Sequence, residues 1–145
     1  MRFWDTSALV PLLVAEDATA AAQEAYDADP VMIVAWTTYV ECASALARAE
    51  RDHLLSLDET TVALKRLEAL CAAWREVELT GAVRDLACRL LRVHRVRAAD
   101  SLQLSSALLA AERRPASLEF VTRDARLETA ARREGFPVRR LQEPD

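Results

Sequence analysis

The sequence predicts an α/β fold, a parallel sheet covered by helices on both faces in three α/β/α layers. Three observations predict it. Short apolar runs alternate with segments of helical periodicity along nearly the whole chain, the pattern of a doubly wound sheet. One of those runs, Val31-Met32-Ile33-Val34, is continuously apolar and β-branched in character, which suits a strand buried on both faces. The 145 residues, 52% hydrophobic with only 2 Gly and 5 Pro, hold ample material for one core and argue against disordered or collagen-like sequence. One domain over residues 1–145 is the expectation.

The elements follow in order. A first strand at about 2–5 leads into a helix from roughly Thr6 to Leu13. Glu16-Asp17 start a second, Ala-rich helix ending near Tyr26. Asp27-Ala28-Asp29-Pro30 is a break, because Pro cannot continue a helix and restrains its predecessor. After the second strand at 31–34, Thr37 and Thr38 open a helix to about His53, with Val40, Ala43, Leu46 and Ala47 at helical spacing. Ser56-x-x-Glu59 is a capping box for a helix over about 58–74, with Val62, Leu67, Leu70 and Cys71 facing inward. Val77-Glu78-Leu79 reads as a short third strand. Thr80 can cap a helix to about Val93, and His94-Arg95-Val96-Arg97 is a polar connection. A helix from Ala98 to Arg113 ends before Pro115. Leu118 to Thr122 is the fourth strand. Asp124 begins a short helix that Gly135 can terminate in a left-handed cap, and Pro137 to Leu141 is the fifth strand. The last four residues read as frayed.

Composition narrows the function classes. No apolar run approaches the roughly 20 residues of a membrane span. The stretch from Ala8 to Ala15 resembles a signal-peptide core, but Asp5 lies in what would be its basic lead-in. A protein that keeps its N-terminus and stays in the cytoplasm is expected. Cys42, Cys71 and Cys88 form no CxxC pair and lie in helical patterns, which points to buried free thiols. His53 and His94 are isolated and read as solvated. Net charge is −4, unevenly spread. Residues 1–74 carry five basic and twelve acidic side chains, residues 75–145 fourteen and eleven, and Lys65 is the only lysine. Arg suits bidentate phosphate contact, although a GC-rich genome produces the same bias.

Four acids stand where strands and helices meet. Asp5 follows the first strand, Glu41 lies in the first turn after the second, Asp100 opens the helix before the fourth, and Asp124 follows the fourth. Each also has a purely structural reading. Thr38-x-x-Glu41 is a capping-box pattern, Asp5 and Asp124 can be N-caps, and Asp100 near a helix N-terminus gains from the macrodipole. Two features favour a joint role. Their neighbours, Tyr39 and Val40 before Glu41, Ala98 and Ala99 before Asp100, are apolar or small, and carboxylates among residues that want burial need a cation. A doubly wound sheet also gathers strand ends and helix starts at one edge. Carboxylates clustered there would raise one another's pKa values. Hard oxygen donors without His or Cys suit Mg²⁺ or Mn²⁺.

These stretches resemble the PIN-domain ribonucleases, and most closely the VapC toxins of bacterial toxin–antitoxin pairs. The matching segments are Asp5-Thr6-Ser7-Ala8-Leu9, Thr38-Tyr39-Val40-Glu41-Cys42-Ala43-Ser44-Ala45-Leu46, Arg97-Ala98-Ala99-Asp100-Ser101-Leu102-Gln103-Leu104, and Phe120-Val121-Thr122-Arg123-Asp124-x-x-Leu127. They occur in the family's order over nearly the whole chain; Ser101 stands where the family commonly has Ala. The resemblance implies a five-stranded parallel sheet in order 3-2-1-4-5. It also implies Mg²⁺-dependent cleavage of RNA by a homodimer silenced by a cognate VapB-like antitoxin of a type II system. Asp5, Glu41, Asp100 and Asp124 would then hold one or two Mg²⁺ ions (Mn²⁺ in its place), so that activated water attacks the phosphodiester.

Thr6, Ser7 and Thr122 could support the carboxylates or a bound water, or serve as turn and cap hydroxyls. Arg97 and Arg123 could reach RNA phosphates, or pair with the acids. Arg113-Arg114, Arg132-Arg133 and Arg139-Arg140 read as solvated faces, and Trp4, Trp36 and Trp74 as core or interface residues. The helix at about 17–26 and those reaching Trp74 would supply dimer and antitoxin surfaces. Competing readings are a housekeeping RNA-processing PIN nuclease, separable by the absence of a neighbouring antitoxin gene, and a catalytically silent PIN-like binding module, which predicts a missing acid. A haloacid-dehalogenase phosphatase needs a second Asp where Ser7 stands.

Overall fold

The structure, a computed structural model, describes residues 1–142; the expectation of a frayed end falls largely on 143–145, outside the described residues. The elements run β1 (Arg2–Trp4), α1 (Thr6–Leu13), α2 (Thr19–Ala28), β2 (Met32–Ala35), α3 (Thr38–Arg51), α4 (Leu57–Ala73), β3 (Arg75–Val77), α5 (Gly81–Val93), α6 (Ala98–Ala110), a 3₁₀ turn (Pro115–Ser117), β4 (Glu119–Thr122), α7 (Ala125–Arg133) and β5 (Val138–Arg140). The five strands pair in the order β3-β2-β1-β4-β5, and every pairing is parallel.

Strand side chains alternate between faces, and that alternation builds two cores. Phe3, Ile33 and Phe120 face α5, α6 and α7, packing on Leu86, Leu90, Leu104 and Leu127. Trp4, Met32, Val34 and Val121 face the other way, onto Leu9, Leu46 and Leu67 of α1, α3 and α4. The first core is anchored by Phe3 and Phe120, neighbours in the β1–β4 register whose rings stack with centroids 5.3 Å apart. Because the strands are parallel, their carboxyl ends and the following helix starts share one edge of the sheet. Among the described residues no helix is long and apolar enough to cross a membrane.

Several expectations shift. The third strand lies two residues earlier, at Arg75–Val77, with Leu79 exposed. Its position is set by pairing, Ile33 opposite Arg75 and Ala35 opposite Val77, not by apolar content. Val40 and Val62 are exposed, whereas Thr38 and Thr60 are buried on the same helices, so the inward faces of α3 and α4 are rotated from the apolar pattern. Helix α6 stops at Ala110 because Glu112 and Arg113 adopt left-handed backbone. His94 is buried, with Nε2 2.7 Å from a Glu134 oxygen. Of the three free thiols only Cys42 is fully buried, and Cys88 is exposed. Trp4 and Trp74 are core residues, while Trp36 is half exposed. Gly135 does take the left-handed conformation after α7, at φ 98°.

Candidate active site

The carboxyl end of β1 sets the geometry. Asp5 is buried, 3% exposed, and caps α1 by accepting the Ala8 N–H at 3.0 Å. Ser7 donates to Asp5 Oδ1 at 2.8 Å, and Thr122, at the end of the neighbouring strand β4, donates to Asp5 Oδ2 at 2.8 Å. The Ser7 hydroxyl in turn accepts the Arg123 N–H at 2.8 Å, and Thr122 Oγ1 accepts the Asp124 N–H at 3.0 Å. One network therefore ties the starts of α1 and α7 together. Burial pushes the Asp5 carboxyl up to about 7, against the lowering effect of its three donors, and Asp124 adds a smaller push the same way.

Asp124 caps α7 with a single oxygen, Oδ1, which accepts from Arg126 and Leu127 at 2.8 and 2.9 Å. Asp100 does likewise at the head of α6, Oδ2 accepting the Arg97 N–H at 3.1 Å. Among the described residues no hydrogen bond engages the other oxygen of either acid. Arg97, Asp100 and Asp124 line one hollow of about 440 Å³.

Glu41 belongs to a second network. It does not close the capping box its spacing allows: α3 starts without any side-chain cap. Glu41 Oε2 instead accepts from Thr6 at 2.9 Å, and Oε1 faces Gln103 Nε2 at 3.3 Å. Gln103 also approaches Thr6 Oγ1 at 3.1 Å and Thr38 Oγ1 at 3.0 Å. This buried amide joins α1, α3 and α6, and sequence reasoning missed it. Its signal was available: a Gln flanked by Leu102 and Leu104, three residues and so about one turn beyond Asp100.

Asp5, Ser7, Thr122 and Asp124 thus form one connected group, Thr6 and Glu41 another, and Asp100 joins Asp124 across a hollow. The premise that apolar neighbours bury the acids holds for Asp5 alone, since Val40, Ala98 and Ala99 are exposed. The Arg123 guanidinium pairs with Glu16, away from the acids.

Among the described residues no three Asp, Glu, His or Cys side chains form a ready-made metal cage. The donor set nevertheless fits a small hard cation. Mg²⁺ keeps most of its waters and takes one or two carboxylates. Asp100 and Asp124 each offer an oxygen without a protein partner beside one hollow, and Asp5 is buried with hydroxyl and backbone donors but no cation among its partners.

Residues 2–133 match the PIN domain family. The chain belongs to that family. Its place there is beside the VapC ribonucleases: it is 35% identical over 136 residues to Ribonuclease VapC45 of Mycobacterium tuberculosis (strain CDC 1551 / Oshkosh), covering 94% of this chain and 92% of that protein. The same figures hold for Ribonuclease VapC49 of strain ATCC 25618 / H37Rv. Among solved structures, a toxin–antitoxin complex from Klebsiella pneumoniae superposes with a TM-score of 0.68 at 18% identity, covering 99% of this chain and 100% of that one. VapBC2 from Rickettsia felis, bound to a promoter DNA fragment, gives 0.65 at 9% identity, covering 97% and 98%. These two show the shared fold.

Proposed function

We propose that this chain is a metal-dependent endoribonuclease, one nuclease domain over residues 1–145. In this reading it is the toxin of a type II VapBC-like pair, working in the cytoplasm as a homodimer and silenced by a cognate VapB-like antitoxin. The observation that carries the reading is the convergence of Asp5, Asp100 and Asp124 on one edge of the sheet, with Glu41 bonded to the residue after Asp5. The ribonuclease names of the VapC relatives and the toxin–antitoxin complexes among the structural neighbours support the same conclusion.

Asp5, Glu41, Asp100 and Asp124 would hold Mg²⁺, or Mn²⁺ in its place. When bound, the ion supplies an activated water and offsets charge on the phosphodiester. The chain's own residues prepare the place. Ser7 and Thr122 fix both oxygens of Asp5, so the carboxylate meets its ligand without rearranging. Asp124 and Asp100 each commit one oxygen to a helix cap and keep the other for the hollow. Gln103 and Thr6 orient Glu41. Arg97, which lines the hollow, would hold a phosphate oxygen, whereas the Arg123 guanidinium pairs with Glu16.

The test is cleavage of total RNA by antitoxin-free protein with Mg²⁺, with EDTA, and as Asp5→Asn. Discrete products with Mg²⁺ alone are expected, absent in the other two lanes. Products that persist in EDTA or in the variant would remove the acids from the chemistry.

A further inference from the structure

Beside the acid hollow lies a second one of about 450 Å³, and the two share Ala125 and Arg126. Its rim is basic: Arg95 from the α5–α6 connection, Arg126 and Arg133 from α7, over a floor that includes the buried His94 and Ala130. On α7 the arginines stand at i and i+7, with Thr129 between them, so all three share a face. The opposite face carries Leu127 and Ala131 into the core.

The charge on this rim is uncompensated. Among the described residues no ion pair engages Arg95, Arg97, Arg126 or Arg133. The acids of the same helix are already committed elsewhere: Glu128 pairs with Arg132 and Arg140, and Glu134 lies against the His94 ring. The outward-facing Arg132 is neutralised, whereas the hollow-facing Arg126 and Arg133 are not. From Asp124 to Arg133 the helix runs on the order of 14 Å at about 1.5 Å per residue, so the cations form a track leading away from the acids.

We infer that this basic hollow holds the backbone of the RNA on one side of the cleaved bond, with Arg95, Arg126 and Arg133 contacting its phosphates. The inference rests on the nuclease reading above and adds where the strand runs. It explains how a chain of net charge −4 can grip a polyanion: the cations that matter are local, and among the described residues none of them is held in an ion pair. Arg guanidinium suits this task through its planar, bidentate donors.

Counterion release provides the test. Each phosphate contact to a single strand contributes about −0.7 to the slope of log affinity against log salt. A fluorescein-labelled pool of random-sequence single-stranded RNA is titrated with full-length protein in EDTA, which blocks cleavage, over a series of KCl concentrations. Arg95→Ala, Arg126→Ala and Arg133→Ala should each flatten the slope by about 0.7, and Arg126→Lys should restore it. Arg75→Ala, at the amino end of the outermost strand β3, should leave it unchanged. Unchanged slopes in all three hollow variants, or an equal loss in Arg75→Ala, would overturn the inference. In Mg²⁺ the hollow variants should raise KM with kcat held. A wild-type protein that cuts RNA while the hollow variants show no change sinks only this inference; one that neither binds nor cuts RNA sinks the nuclease reading and this with it.

Discussion

Asp5 serves as a helix cap and as a candidate ligand, and its environment makes the double duty measurable. Its ordinary carboxyl value of 3.8 becomes about 7 in the folded protein. Between those values the folded state holds a proton that the unfolded chain has released. The contribution of Asp5 to stability without a divalent ion should therefore be fully present below about pH 4, fall as pH rises to about 7, and level off above. The loss is up to ~1.4 kcal/mol per pH unit. Urea unfolding in EDTA across that range would show the decline, and Asp5→Asn should abolish it. Thr122→Val removes one of three donors that favour the ionised form, so the decline should continue beyond pH 7, with a further cost of about 1–3 kcal/mol for the hydrogen bond lost from a buried carboxyl that keeps Ser7 and the Ala8 N–H. At the same scale, burial pushes the Cys42 thiol up to about 12. Iodoacetamide should label exposed Cys88 in the native protein and Cys42 only after unfolding; mass mapping of the adducts checks this. Asp5 was legible in the sequence because a lone acid ending an apolar strand is conspicuous. Gln103 was not, because its importance depends on three partners brought from residues 6, 38 and 41.

Among the elements, the helices carry their own punctuation. Ser56 and Glu59 close a reciprocal capping box, Thr80 caps α5, and Gly135 ends α7 in the left-handed region. An added Cβ at Gly135 would lie 3.2 Å from Pro115 Cγ, on a backbone that costs an L-residue roughly 1–2 kcal/mol. Gly135→Ala should therefore lower stability by at least that much, as a shift in denaturation midpoint. Phe120→Ala, which breaks both the Phe3 and the Phe136 ring contacts, should cost about 3–5 kcal/mol by the same measurement. These helix signals are local, so sequence displayed them. The misplaced β3 shows the opposite case. An edge strand has one bonded neighbour and needs little apolar content, so Arg75 and Glu76 hide its start. The exposed faces of α3 and α4 were equally opaque, because helical spacing fixes which residues share a face and not which face meets the sheet.

For the molecule as a whole, the expected cation provides a thermodynamic handle. A ligand of the folded state alone stabilises by about 2.7 kcal/mol at a hundredfold excess over its dissociation constant. Mn²⁺ should raise the melting temperature of the wild-type protein and leave Asp124→Asn unmoved, as differential scanning fluorimetry would read. Layers and strand count were visible in the alternating pattern. The strand order was not, and came from family resemblance, because it depends on contacts such as Thr122 to Asp5, 117 positions apart. That separation has a consequence for biosynthesis. A ribosome that has reached α6 has already produced Asp5, Glu41 and Asp100, but neither Thr122 nor Asp124. The central strand still lacks one neighbour and the acid group its last member. For the proposed nuclease, this threading would work as a timer: the candidate acid group is complete only once β4 and the start of α7 have been made.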